Sequence, residues 1–86
     1  MEKEGLITFK STHFALRAEK VLEKKGLKFK TIPTPREVSH SCGLSLLVNS
    51  DNISQVQDMV KEDLINIDHL YRYIRDSNGN KAERIV

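Results

Sequence analysis

The 86-residue sequence predicts an α+β fold, a two-layer sandwich with two helices on one face of a four-stranded antiparallel sheet. Three observations carry that expectation. Two stretches repeat apolar residues at helical spacing, and the short runs around them are apolar, β-branched or alternating with period two. Runs and helices follow one another in the order β-α-β-β-α-β. Hydrophobic residues make up 38% of the chain and charged residues 30%, which supports a core and argues against wholesale disorder.

Leu6-Ile7-Thr8-Phe9 reads as the first strand, being short, apolar and β-branched. Ser11 and Thr12 are placed to cap a helix over 12–25. Its inner face is Phe14, Ala15, Ala18, Val21 and Leu22, while Arg17, Glu19, Lys20, Glu23 and Lys24 look outward. Lys24-Lys25-Gly26 suits its end, with cations at the negative end of the dipole and glycine for the left-handed stop. Leu27-Lys28-Phe29-Lys30-Thr31-Ile32 alternates, and its lysines suit an edge strand.

Leu44-Ser45-Leu46-Leu47-Val48 is the most apolar run and reads as a central strand. Asn52 to Gln55 has the spacing of a capping box, opening a second helix over 53–65. Ile53, Val56, Val60 and Leu64 would form its inner face, with Met59 beside them. Asp68 to Ile74 alternates as strand four. Residues 76–80 read as a turn and the tail to 86 as loose, so a single domain is expected over 1–75. This order is that of a ferredoxin-like split unit, whose right-handed first crossover leaves room for strand three between strands one and two.

No apolar run approaches the roughly 20 residues that cross a bilayer. Met1-Glu2-Lys3-Glu4 lacks the layout of a signal peptide, and one cysteine makes no internal disulfide, so a cytoplasmic protein is expected. The net charge of +2 is unevenly spread. Residues 10–36 hold eight Lys/Arg and two Glu, whereas residues 51–68 hold five acids and one Lys. Such asymmetry steers partners or marks two solvated helix faces beside an edge strand.

The special residues concentrate between strands two and three. Ile32-Pro33-Thr34-Pro35-Arg36-Glu37-Val38-Ser39-His40-Ser41-Cys42-Gly43 holds both prolines and the only cysteine. From Pro33 to Cys42 it is long for a hairpin connection, and the prolines stiffen it. Gly43 frees the backbone beside Cys42 for a sharp turn or a close approach. A thiolate is the reactive form of cysteine, and nearby positive charge favours it. Arg36 and His40 reach Cys42 if residues 36–39 make a helical turn, giving one permanent and one titrating charge. Ser39 and Ser41 read as turn formers. The competing reading is a small buried hydrophobe, the commoner fate of a lone cysteine. A metal site is not expected from one Cys with scattered His13, His40 and His69, and no cofactor is implied.

Phe9 and Ser11 leading into a helix, then Ile32-Pro33-Thr34-Pro35-Arg36, Ser39, and Ser41-Cys42-Gly43 entering a strand, resemble a family of short bacterial proteins described as selenium/sulfur carrier-like. The resemblance covers residues 5–75. It implies a cysteine that holds sulfur or selenium as a persulfide or selenosulfide and passes it on. By position that cysteine is Cys42, framed by Pro33, Pro35, Arg36 and Gly43. It implies a donor such as a cysteine desulfurase and an acceptor protein, and a carrier or sulfurtransferase accessory rather than a turnover enzyme.

Two other readings stay open. In one, the domain is a non-enzymatic interaction or regulatory module, Cys42 is incidental, and Lys28 and Lys30 face an acidic partner. In the other, Tyr71 and Tyr73 stack RNA bases on an open sheet face, although strands one and three offer no matching aromatic pair.

Overall fold

The computed structural model describes residues 2–35, 43–76 and 78–85. In chain order the elements are β1 (Glu2–Thr8), α1 (Thr12–Lys24), β2 (Phe29–Pro33), β3 (Leu44–Asn49), α2 (Ile53–Lys61), β4 (His69–Asp76) and β5 (Gly79–Arg84). The strands form one antiparallel sheet in the order β2-β3-β1-β4-β5. β3 lies between β1 and β2, as the split unit requires. The sheet has five strands rather than four. Residues 79–84, expected in a loose tail, pair along β4 with Asp76 opposite Gly79 and Tyr71 opposite Arg84.

Register assigns every strand residue to a face. Gly5, Ile7, Leu46, Val48, Phe29 and Leu70 share one face, and both helices lie on it. Ala15, Ala18 and Leu22 of α1 and Ile53, Val56 and Met59 of α2 join Ile7, Phe9, Leu46, Val48 and Leu70 in the main core. Burying each large side chain here stabilises by roughly 1.5–3 kcal/mol. Gly5 lets α2 seat closely, because a Cβ there would stand 2.8 Å from Ile53 Cγ1 and 2.9 Å from Val48 Cγ2.

The opposite face carries a smaller cluster of Leu6, Leu47 and Tyr73, with Ile32 and Tyr71 partly buried beside them. Ile32 therefore points away from Phe29, across the sheet from the helices. Tyr73 is only 5% exposed, so its ring is not offered to a base and the two tyrosines form no stacking platform.

α1 starts and stops where the sequence places it, whereas α2 departs from the expectation at both ends. Ser11 occupies the cap position of α1 without a side-chain cap bond. Before α2 a single 3-10 turn, Ser50–Asn52, intervenes, and Asn49 rather than Asn52 caps it by accepting from the Asp51 N–H at 3.0 Å. α2 stops at Lys61 instead of 65, because Asp63 takes a left-handed φ of 61° and breaks the helical path. Leu64 is consequently 41% exposed rather than on the inner face, and Ile65 is buried in its place.

Candidate functional site

β2 ends and β3 begins at one end of the sheet, where β1 also ends and β4 starts. The segment joining β2 to β3 leaves from there. Two bonds close its base. The Thr34 N–H donates to the Gly43 carbonyl at 3.1 Å, continuing the ladder beyond the Pro33–Leu44 pair. The Thr34 and Ser45 hydroxyls lie 2.6 Å apart and share a proton donor between them. The ends of the segment are thereby held side by side, and Pro33 and Pro35 flank Thr34 with their fixed φ.

A polar row runs inward from this base across the sheet. Ile32, Ser45, Thr8 and His69 are register neighbours on the face away from the helices. Ser45 and Thr8 are fully buried. Burying a hydroxyl without a partner costs roughly 1–3 kcal/mol, and here each has one. Thr8 Oγ1 accepts from the His69 N–H at 3.2 Å and lies 3.4 Å from the His69 carbonyl. The Asp68 N–H donates to the Thr8 carbonyl at 2.7 Å. The His69 ring stands edge-on to Tyr71, with centroids 5.9 Å apart, and its Nε2 lies 3.9 Å from Asp68 Oδ1. This row ties β3, β1 and β4 together directly beneath the place where the β2–β3 segment departs.

Of the residues singled out in the sequence, Pro33 is exposed at the end of β2, Pro35 is half-buried and Gly43 is exposed before β3. Gly43 has no left-handed φ, and a Cβ added to it would meet nothing within 4 Å. Neither a sharp turn nor crowding within the described chain calls for glycine there. Arg36, Ser39, His40, Ser41 and Cys42 lie outside the described residues. Among the described residues no group of three or more His, Cys, Asp or Glu is placed to hold a metal ion. No helix among them is long and apolar enough to cross a membrane.

Sequence reasoning gave no role to Thr34, Ser45 or Thr8. The available signal was the hydroxyl of Ser45 inside the most apolar strand, since a buried hydroxyl demands a partner. Thr34 supplies it from between the two prolines.

A protein-family model described as "Putative Se/S carrier protein-like" matches residues 4–72. That span runs from β1 into β4 and includes the whole β2–β3 segment. Comparison with curated proteins and with solved structures gives no match.

Proposed function

The chain belongs to the family of Se/S carrier protein-like chains, and on that premise we propose that Cys42 is the atom that carries the chalcogen. A carrier needs a nucleophilic sulfur, and this sequence contains one cysteine. The observation that most supports the assignment is the closed base of the segment that contains it. The Thr34–Gly43 bond and the Thr34–Ser45 hydroxyl pair fix both ends of the connection between β2 and β3, Gly43 being the residue after Cys42. Such a base presents a segment on a rigid scaffold, the usual arrangement for functional loops.

The chemistry is exchange at sulfur. The Cys42 thiolate attacks the terminal sulfur of a donor persulfide, forming a new S–S bond as the donor's S–S bond breaks. The donor leaves as a thiolate, and the proton of the persulfide stays on the transferred sulfur. No electrons are gained or lost overall. An acceptor nucleophile takes the terminal sulfur in the same way and returns Cys42 as thiolate. Arg36 and His40 supply positive charge that favours the thiolate, and Ser39 and Ser41 shape the turn around it. The donor is a protein persulfide such as that of a cysteine desulfurase, and a selenium donor would react by the same exchange. We read the domain as a ferredoxin-like sandwich with an added edge strand, working in the cytoplasm, where a free thiol persists. It acts as a carrier or sulfurtransferase accessory, with no turnover of its own.

The test is intact mass after incubation with a persulfide-loaded cysteine desulfurase. The expected result is a gain of one sulfur atom that reductant removes and that Cys42→Ser abolishes. A Cys42→Ser protein that still gains reducible sulfur, or a wild-type protein that gains none, would overturn the assignment.

A further inference from the structure

The turn after α2 builds a cleft that the carrier chemistry does not use. Phe14 and Arg17 of α1 and Asp63, Leu64, Ile65 and Asn66 line a space of about 200 Å³. Its walls come from α1, which follows β1, and from the turn that leads into β4, so it lies near the end of the sheet where β1 ends and β4 starts. Its volume falls below the roughly 300–1,000 Å³ of pockets for drug-sized ligands, so its occupant is small.

The lining has an unusual charge arrangement. Arg17 brings a guanidinium from α1, and Asp63 brings a carboxylate from the turn. Neither makes an ion pair or a side-chain hydrogen bond among the described residues. Asp63 also occupies the left-handed position, φ 61°, that glycine fills at the end of α1. Glycine takes that conformation without steric cost and aspartate does not. Aspartate reaches this conformation more readily than most residues, so the helix stop accepts a carboxylate there without requiring one. Asn66 adds an amide with both donor and acceptor, and Phe14, Leu64 and Ile65 add apolar walls.

We propose that this cleft binds a small free α-amino acid through its zwitterionic head group. The Arg17 guanidinium takes the carboxylate, for which its planar fork is suited. The Asp63 carboxylate takes the ammonium, Asn66 bonds whichever edge remains, and a short side chain lies along Phe14 and Leu64. An anion alone would face Asp63, and an amine alone would face Arg17. Only a molecule carrying both charges leaves neither side chain opposed. The proposal is independent of Cys42, and its failure would leave the carrier reading untouched.

The probe is L-alanine, which has no thiol to engage Cys42, titrated into the full-length protein and followed by amide NMR shifts. Propionate and ethylamine serve as single-charge analogues. Saturable shifts at residues 14–17 and 63–66 are expected with L-alanine, with each analogue at least about tenfold weaker, the scale of one lost charge-assisted bond. Arg17→Gln and Asp63→Asn should each weaken L-alanine binding by a similar factor. Asp63→Gly should weaken it by at least the same factor while raising the melting temperature, which separates lost recognition from lost folding. Absence of saturation with L-alanine would overturn the proposal. So would equal binding of propionate, which would reduce the cleft to an anion site at Arg17, or full binding by Asp63→Gly.

Discussion

At the end of α1 the Gly26 N–H donates to the Glu23 carbonyl and the Leu27 N–H to the Leu22 carbonyl, at 3.1 and 3.0 Å. At the end of α2 the Asp63 N–H donates to the Val60 carbonyl and the Leu64 N–H to the Met59 carbonyl, at 3.1 and 2.9 Å. Both are Schellman stops, with a left-handed residue followed by a hydrophobic one. What differs is where the chemistry goes. α1 uses glycine, φ 73°, and tucks Leu27 against the core. α2 uses aspartate and leaves Leu64 41% exposed on the rim of a cleft. The first stop is built for stability alone. The second gives up stability at both positions and gains a carboxylate and an apolar wall facing solvent.

The contrast breaks most visibly at the hydrophobic residue. Leu27→Ala should lower unfolding free energy by about 2 kcal/mol, a value reduced from the fully buried range because Leu27 is half-buried. Leu64→Ala, at the equivalent position, should cost under about 1 kcal/mol. Urea denaturation of the two variants decides the matter, and equal losses would mean that Leu64 packs as Leu27 does.

The left-handed residue gives a smaller effect with opposite signs. Gly26→Ala places a Cβ at φ 73° and should destabilise by about 1 kcal/mol. Asp63→Gly removes that penalty and should stabilise by up to about 1 kcal/mol, less the entropy that glycine adds to the unfolded chain. Destabilisation by Asp63→Gly in thermal melts would show that the carboxylate supports the fold, and the functional account of the second stop would fail.

The same two stops show what could be read in the sequence. Lys24-Lys25-Gly26 announces the end of α1, because glycine after a basic last turn is the common signal. Nothing comparable announces Asp63, and Leu64 falls four residues after Val60, on the apolar stripe of the expected helix. Periodicity therefore carries α2 too far. β5 was illegible for a related reason. Lys81, Ala82, Glu83 and Arg84 are all exposed, so this edge strand has no apolar face to alternate, and only Ile85 beyond it packs on the core. Asn78-Gly79 was the usable cue, since that dipeptide favours a tight hairpin and so a further strand. The other four strands were legible because β1, β3 and β4 carry buried side chains, and β2 alternates in sequence with Phe29 and Ile32 partly buried. At the candidate site the two prolines and Gly43 could be read, but the Thr34–Ser45 bond could not, because a hydroxyl pair eleven residues apart leaves no local pattern.

Gly43 sharpens the comparison from the other side. Gly26 is required by its dihedral angle and Gly5 by its neighbours, whereas Gly43 is held by neither. Its carbonyl accepts from Thr34, a bond that alanine would keep. Gly43→Ala should therefore change stability by less than about 0.5 kcal/mol, with any gain coming from a stiffer unfolded chain. If glycine is useful there, the use lies in approach by another molecule to the backbone next to Cys42. The expected outcome is an unchanged melt together with slower sulfur uptake from the donor persulfide, read by the same mass assay. A melt that drops sharply would mean that the chain itself needs the glycine. Unchanged uptake would mean that the donor reaches Cys42 without passing over Gly43.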